Sequence, residues 1–258
     1  MWSAAVDGTR LTFRLAGINN QNFIMRDDQT GTWWQQVSGL AIHGPLKGTR
    51  LRLVPHDQVT FAIWKDEQPK GQVLKLDEEV AKNDDYVSAD WEERMANRPT
   101  PNTGPPLEGG LEPRTLMIGI SLDGPGGTKT KAWPHQSVVT SGVWLDELGG
   151  MPLLLVTASD GRSVRAFDRR SEGETLTFVR AGTDTHSGVL LDLETLSEWD
   201  FQGKATKGEL AGRKLARVEL LLDYWFDWVK YNPKTEVVKP WQPKRKPSKP
   251  PIPKPTAP

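Results

Sequence analysis

An internal repeat constrains the fold of this chain more than any other feature of its sequence. Thr9–Val73 resembles Glu174–Val237, with one residue dropped part of the way along the match. The pairs include Phe13 with Phe178, Asp27 with Asp192, Thr30 with Thr195 and Trp34 with Trp199 at an offset of 165 residues, and Gly39 with Gly203, Gly44 with Gly208, Leu51 with Leu215 and Trp64 with Trp228 at an offset of 164. Such self-similarity indicates two copies of one folding unit, so the sequence predicts a tandem duplication.

Each unit is predicted to be mainly β. Short apolar runs alternate with Asp-Gly, Glu-Gly and Gly-Gly turns, where glycine supplies the positive φ that a tight turn needs. Turn signals at such short intervals are typical of antiparallel strands joined by hairpins. The predicted fold class is therefore mainly β, with two homologous β-meander units that each carry one short helix. The predicted boundaries are 1–76 for the first unit, 77–113 for a helical and Pro/Gly-rich connector, 114–238 for the second unit and 239–258 for a disordered basic tail.

The helix of each unit is predicted from aromatic residues spaced three apart. Phe61 and Trp64 in the first copy, like Trp225 and Trp228 in the second, place both rings on one helix face, which can then pack on the sheet. A further helix is predicted over Asp90–Arg98 in the connector, with Asp90 as its N-cap.

The first copy is shorter than the second at its N-terminal end. By the offset, Met1 aligns with Ala166, whereas the second copy has strand-like runs back to at least Val143. Trp2–Val6 is therefore expected to enter the sheet as an edge strand without a preceding partner, which exposes backbone hydrogen-bonding groups. The hypothesis that follows is that the natural chain begins upstream of Met1.

Composition excludes several classes of site. The chain has no cysteine, which excludes disulfides, thiolate metal sites and cysteine nucleophiles. Its four histidines are not spaced as a metal-binding pair, so neither a metal nor a cofactor is predicted. Lys plus Arg and Asp plus Glu number 33 each, and this balance argues against nucleic acid as the main partner. No apolar run approaches the length of a transmembrane segment.

Charge is distributed unevenly along the chain. Lys239–Pro258 carries six basic residues, no acidic residue and eight of the twenty prolines. Because proline removes backbone donors and few apolar side chains are present to bury, this tail is predicted to be disordered. A solvated terminus is the favoured interpretation, and a tether to an acidic surface is the alternative.

Differences between the two copies indicate candidate ligand residues. Positions that are alike in both copies are most simply structural, whereas polar residues present in one copy only are better functional candidates. The candidate ligand-binding residues are Asn20, Asn22, Trp33, Trp34, Gln36 and His43. Amides supply hydrogen bonds and indole rings a stacking surface, a combination that suits a polar ligand such as a glycan or a peptide. A buried amide network that braces a loop is the structural alternative.

Signals for catalysis are few, and no catalytic residue is predicted. The leading expectation is a non-catalytic binding or interaction module with its ligand face in the first unit. The alternative is a hydrolase-like enzyme of the cell envelope that uses His43 or His56 with a nearby carboxylate. His56 and Asp57 are adjacent in sequence, but neighbours on a strand point to opposite faces, so these two are not expected to pair. A third interpretation is that the chain is a scaffold only.

Several motifs together form a specific pattern. They are Thr12-Phe13, Asn20–Asp27, Thr30–Gln36, Gly44–Gly48, Lys131–Pro134, Leu148–Pro152, Arg165–Arg169 and Gly208–Gly212. This pattern, which extends to about Val238, resembles the uncharacterised bacterial and archaeal family called domain of unknown function 3179. The resemblance implies an extracytoplasmic protein, periplasmic or secreted, because such proteins often carry an export signal, but it implies no established activity.

The chain departs from that family at its N-terminal end. It has no signal peptide, so the sequence as written predicts a soluble cytoplasmic protein. Many members also carry a Cys-Pro-x-Cys segment ahead of the part that resembles Trp2–Ala5, and this chain lacks it. The departure agrees with a start upstream of Met1 and removes any redox or metal role that such cysteines would have.

Overall fold

Short antiparallel strands build most of the protein, which confirms the predicted mainly β fold class. The computed structural model describes residues 1–19, 22–75, 90–100, 110–182 and 188–239. The first unit and the connector contain β1 (Ala5–Val6), β2 (Thr9–Arg10), β3 (Phe13–Asn19), β4 (Asn22–Asp27), β5 (Trp33–Gln35), β6 (Ala41–His43), α1 (Phe61–Glu67) and α2 (Trp91–Asn97). The second unit contains β7 (Leu116–Leu122), β8 (Lys129–Pro134), α3 (His135–Ser141), β9 (Val143–Leu148), β10 (Met151–Thr157), β11 (Val164–Asp168), β12 (Arg170–Ser171), β13 (Glu174–Thr175), β14 (Phe178–Arg180), β15 (Leu190–Asp192), β16 (Glu198–Trp199), β17 (Ala205–Lys207), β18 (Ala216–Val218), β19 (Leu221–Tyr224), α4 (Trp225–Tyr231) and β20 (Glu236–Val237).

Both units contain a four-stranded antiparallel meander. Its strand order is β3-β4-β5-β6 in the first unit and β14-β15-β16-β17 in the second. A two-stranded ribbon precedes each meander, and its turn places Asp7 or Glu172 at a positive φ of 48° or 52°. α1 and α4 end at Gln68 and Asn232, whose φ and ψ angles agree within 3°. These matching features are compatible with the predicted duplication.

The second unit has two further sheets. Their strand orders are β18-β11-β10-β9 and β19-β7-β8-β20, and within them only β8 and β20 pair in parallel. The hairpin between β9 and β10 turns at Gly149 and Gly150, both at positive φ as a tight two-residue turn requires. Because successive side chains alternate between faces, Leu153 and Leu155 of β10 pack in one core while Leu154 packs in another. β10 is therefore buried on both faces.

α3 is an element that the sequence analysis did not predict. It contains Val138, Val139 and Thr140, whose β-branched side chains lower helix propensity. Val138 and Val139 are buried against the neighbouring sheets. Packing, rather than intrinsic propensity, therefore stabilises this helix.

The same buried carboxylate interaction closes the central hairpin of each meander. Asp27 accepts hydrogen bonds from Trp34 Nε1 at 2.8 Å and from the backbone and hydroxyl of Thr30 at 2.5 and 2.9 Å. In the second unit, Asp192 accepts from Trp199 Nε1 at 2.8 Å. Burial opposes ionisation of Asp27, but the hydrogen bonds from Trp34, Thr30 and Thr32 outweigh it and lower the pKa of this carboxyl. Both carboxylates are fully buried, so each satisfies an indole N–H that water cannot reach.

We expect Asp27→Ala and Asp192→Ala each to reduce the free energy of unfolding by about 2 kcal/mol, because each leaves a buried indole N–H without an acceptor. Asp28→Ala is the matched control, since Asp28 lies next to Asp27 but pairs with Arg14 at the surface. The control is expected to lose less than about 1 kcal/mol. Urea unfolding of the three variants measures these values, and a loss at Asp27 no larger than at Asp28 would contradict the structural role.

The predicted tail lies outside the described residues except for Lys239, as does candidate ligand residue Asn20. The connector helix is observed over Trp91–Asn97, with Asp90 at its N-cap position but without a capping hydrogen bond from the Asp90 side chain. Among the residues that the structure describes, no helix has the length and apolar character needed to cross a membrane.

Candidate functional site

A cleft of about 470 Å³ lies where the two units meet. Its volume is within the range of small-molecule sites. The lining residues from the first unit are Met1, His56, Asp57, Val59, Trp64, Glu67 and Gln68, and those from the second unit are Arg165, Gln202, Lys214 and Arg217. Charged and amide groups thus make up most of the lining, with the indole of Trp64 as its large apolar surface.

Arg165 is the most buried charged residue of the cleft. It lies on β11, in the interior of its sheet, and its side chain is only 4% exposed. Its guanidinium donates to Glu67 at 2.5 and 2.7 Å and to Asp57 at 2.7 Å, and it stacks over the Phe201 ring at 4.4 Å. Burial opposes its charge, but the hydrogen bonds that Arg165 donates to Glu67 and Asp57 outweigh that effect and raise the pKa of Arg165. This ion pair joins the two units.

Asp57 is shared between two arginines. It accepts from Arg165 and also from Arg217, which lies over the Phe167 ring at 5.3 Å. Burial alone would raise the pKa of Asp57, but hydrogen bonds from Arg217 and Arg165 lower it below its ordinary value. Asp57 is therefore a fixed anion rather than a group that exchanges protons near neutral pH.

His56 pairs with a carboxylate other than its sequence neighbour. Its Nδ1 lies 3.3 Å from Glu219 Oε2 and 3.0 Å from the Met1 amine. The His56 backbone N–H also donates to Glu219 Oε2 at 3.3 Å. This arrangement orients the imidazole at the rim of the cleft.

Several cleft groups differ between the two segments of the predicted repeat. Asp57 and Glu67 align with Leu221 and Tyr231, His56 aligns with Leu220, and Arg217 aligns with Leu53. The sequence comparison that singled out the amides of the first unit therefore also shows that these cleft residues have no polar counterpart. The sequence does not show which of these unmatched polar residues contact one another, because Arg165 lies about a hundred positions from both Asp57 and Glu67 in the chain.

Among the predicted ligand residues that the structure describes, Trp33 and His43 are in contact with each other. Trp33 and His43 face each other across β5 and β6, with ring centroids 6.2 Å apart, and both are exposed. Trp34 is fully buried under the meander, where it donates to Asp27. The Gln36 side chain is exposed, and its backbone carbonyl accepts from Trp2 Nε1 at 2.6 Å.

Asn22 contacts the second unit rather than solvent. Its side-chain amide donates to Asp227 Oδ2 at 2.6 Å, in α4. Burial raises the pKa of Asp227 to about 6, partly offset by the bond from Asn22. Burial, and then the charge of Asp227, raises the pKa of Asp223 to about 7. Two carboxyls with raised pKa values thus lie beside the interface between the units, at a place that the sequence analysis did not select.

The cleft offers hydrogen-bonding side chains, one indole ring and the imidazole of His56. Its described lining contains no serine, threonine, tyrosine or cysteine, so no side-chain hydroxyl or thiol faces the space. Within the described part of the chain, no group of three or more His, Asp and Glu side chains is placed to bind a metal ion.

A family model described as "Protein of unknown function (DUF3179)" matches residues 1–235 of the chain. Neither the curated proteins nor the solved structures contain a match.

Proposed function

Because the chain belongs to the DUF3179 family, whose description assigns no activity, we propose a function from the cleft itself: the protein is a non-catalytic, extracytoplasmic binding module that holds a polar ligand such as a glycan between its two units. The observation that carries this proposal is the cleft lined by one large indole and by polar groups already held in place by ion pairs. Such a lining is preorganised, so binding does not require these side chains to be ordered first.

The pairing of charges inside the cleft favours a neutral ligand rich in hydroxyl groups. Arg165 and Arg217 together neutralise Asp57 and Glu67, so an ionic ligand would have to break these pairs in order to bind to them. Hydroxyl groups can instead donate to the carboxylates and accept from the guanidinium and amide N–H groups without displacing them. The Trp64 ring supplies an apolar face of the kind on which a sugar ring stacks.

We expect Gln68→Ala and Gln202→Ala each to weaken glycan binding about tenfold, the loss that corresponds to one hydrogen bond. Both side chains are exposed at the cleft, so the melting temperature should stay close to that of the parent chain. Gln136→Ala, on α3, is the matched control because this exposed amide is not among the lining residues. Titration of a panel of soluble oligosaccharides measures the affinities. Equal affinity of all three variants for every sugar that the parent binds would refute the assignment of the cleft.

The exposed pair Trp33 and His43, with Gln36, remains a proposed extension of the ligand surface in the first unit. These residues are accessible, and an aromatic pair flanked by an amide suits the same polar ligand. Trp33→Ala is expected to weaken binding only if the ligand is longer than the cleft, so the effect should appear with long oligosaccharides and not with a monosaccharide.

A hydrolase is the second candidate, and the contact between His56 and Glu219 favours it. Glu219 Oε2 would orient the imidazole as a general base when Nδ1 carries the proton and donates to this carboxylate instead of accepting from the Met1 amine, and in this cleft the nucleophile would be water. In an enzyme, His56→Gln and Glu219→Gln would reduce hydrolysis of a bound glycoside or peptide by at least about a hundredfold while leaving its binding intact. In a binding module, the parent chain itself would release no product from these compounds.

A further inference from the structure

The turns that follow the two helices α1 and α4 have the same backbone hydrogen bond. After α1, the Gly71 N–H donates to the carbonyl of Gln68, the C-cap residue, at 2.8 Å. After α4, the Thr235 N–H donates to the carbonyl of the C-cap residue Asn232 at 3.0 Å. Each of these donors lies seven residues after the tryptophan of its helix. Gly71 and Thr235 therefore occupy equivalent places in the two units.

The residue at that place determines the partner of the indole N–H. In the second unit, Trp228 Nε1 donates to Thr235 Oγ1 at 3.1 Å, and Trp228 is buried in the core. In the first unit, glycine supplies no hydroxyl, and no residue that the structure describes accepts from Trp64 Nε1. Trp64 is partly exposed and lines the cleft. Its N–H is therefore available to a ligand, whereas the N–H of Trp228 is satisfied within the fold.

Packing holds the Trp64 ring in position at the cleft. The Phe61 ring stacks on it, with ring centroids 5.4 Å apart and 29° between the ring planes. A Cβ atom on Gly71 would lie 2.5 Å from Trp64 Cζ2, so the indole packs against the bare glycine backbone. Any larger residue at this position would displace the ring. Trp64 is thus a preorganised donor, because these contacts fix the ring without occupying its N–H.

The cleft combines occupied acceptors with unoccupied donors. Each carboxylate oxygen of Asp57 and Glu67 already accepts a hydrogen bond from an arginine. By contrast, the Trp64 N–H and the Lys214 ammonium have no hydrogen-bond partner in the described part of the chain. A carbonyl oxygen offers two lone pairs and no proton, whereas a hydroxyl also has a proton that needs an acceptor. A carbonyl group in the ligand therefore complements this lining better than a hydroxyl does.

We propose that the cleft selects sugars that carry an acetamido group, with the Trp64 N–H donating to the acetamido carbonyl. This inference rests on the proposed function, since it names the class of glycan that the cleft binds. Trp64 is then the residue that determines specificity, and Gly71 is the residue that leaves its N–H free. A sugar with a hydroxyl in place of the acetamido group lacks the carbonyl acceptor and binds more weakly.

Triacetylchitotriose and cellotriose are the probes, because each ring of the two trisaccharides differs only in an acetamido group or a hydroxyl at one carbon. We expect the full chain to bind triacetylchitotriose about tenfold more tightly, the ratio that corresponds to one hydrogen bond. Trp64→Phe keeps an aromatic ring but removes the N–H, so its affinity for triacetylchitotriose should fall about tenfold. Its affinity for cellotriose should stay close to that of the parent chain. Isothermal titration calorimetry measures all four affinities.

Two further variants separate the Trp64 N–H from other effects. Trp91→Phe is the matched control, because Trp91 is an exposed tryptophan of α2 that is not among the lining residues. This control should keep the preference of the parent for triacetylchitotriose. Gly71→Ala keeps the Trp64 N–H but displaces the indole with its new Cβ atom, so it should lose the preference as Trp64→Phe does.

Exchange of the indole N–H with solvent tests the structural premise without depending on affinity. In magnetic resonance spectra of the free chain with isotope-labelled tryptophan, the Trp64 N–H should exchange quickly and the Trp228 N–H slowly. The signal that is missing from Trp64→Phe identifies Trp64. Addition of triacetylchitotriose should slow exchange at Trp64, and addition of cellotriose should slow it less.

The possible failures of this inference differ from a failure of the proposed function. Equal affinity of the parent for the two trisaccharides would overturn acetamido selection while still showing a glycan-binding cleft. A preference that persists in Trp64→Phe would overturn the role of the Trp64 N–H. Binding of neither trisaccharide, with binding of other sugars in the oligosaccharide panel, would also overturn acetamido selection and leave the proposed function intact. Binding of no sugar at all would contradict both.

Discussion

Replacing Arg165 by methionine is expected to reduce the free energy of unfolding by about 3 kcal/mol, since removal of one partner leaves an uncompensated buried charge. Glu67 bears most of this effect, because its side chain is 15% exposed and Arg165 is the cation paired with it. Asp57 keeps Arg217 and is less affected. For a chain of this size the loss corresponds to a fall in melting temperature of about 6–12 °C.

Arg162→Met is the matched control for Arg165→Met. Arg162 pairs with Glu92 at 3.1 Å, and the two side chains are 66% and 80% exposed, so neither charge is left buried when its partner is removed. Water compensates exposed charges when their partner is removed, so the control is expected to lose less than about 1 kcal/mol. Equal losses in the two variants would show that burial does not determine the contribution of these pairs.

A double-mutant cycle tests whether the loss comes from the unpaired carboxylate. Glu67→Gln added to Arg165→Met removes that charge, so the double variant should lose less stability than the sum of the single variants. Additive losses would place the effect in the packing of Arg165 on Phe201 instead. Arg165 links β11 to both Asp57 and Glu67. We therefore also expect Arg165→Met to increase the mobility of the side chains that line the cleft and to weaken ligand binding.

Replacing Asp223 by asparagine is expected to stabilise the protein by about 3 kcal/mol at pH 8 and to leave its stability at pH 4 nearly unchanged. Burial and the charge of Asp227 raise the pKa of Asp223 to about 7 in the folded protein. Below the pKa of about 4 in the unfolded chain, the carboxyl is protonated in both states and carries no penalty. Between about pH 4 and pH 7 the unfolded chain ionises this carboxyl while the folded protein keeps it protonated, so stability falls across this range and levels off above pH 7.

The difference between variant and parent isolates this effect from that of other carboxylates. Asp57 and Asp146 have lowered pKa values, so their contribution to stability is lost as the pH falls, the opposite direction. Urea unfolding of the parent and Asp223→Asn across pH 4–8 gives the difference directly. Asp223→Glu, which keeps the charge, should show no stabilisation at pH 8. A difference that is the same at pH 4 and pH 8 would contradict the raised pKa of Asp223.

The turn residues in the sequence predicted local structure well. The turns at Asp7-Gly8, Glu172-Gly173 and Gly149-Gly150 occur where glycine was expected to permit positive φ. The conformation of these turns depends on residues that are close together in the chain, so it can be predicted from one sequence. α3 was not predicted, because its β-branched residues are poor helix formers and the helix is stabilised by burial against the sheets.

The candidate site was predictable only in part. Asn22 was selected from its sequence, but its partner Asp227 lies 205 residues away. Trp34 was selected as a stacking surface, and the structure places it in the core, satisfied by Asp27. An indole ring suits a core as well as a ligand surface, and the amino-acid type alone does not distinguish the two environments.

Residue type and short-range order were enough to predict the strand-rich fold, the positions of the tight turns and the absence of cysteine chemistry. Which charged and polar groups meet is a property of the tertiary structure, which places Arg165 against Asp57 and Glu67 and places Asn22 against Asp227. Ion pairing and burial depend on distances between residues that are far apart in the chain, and folding alone sets those distances.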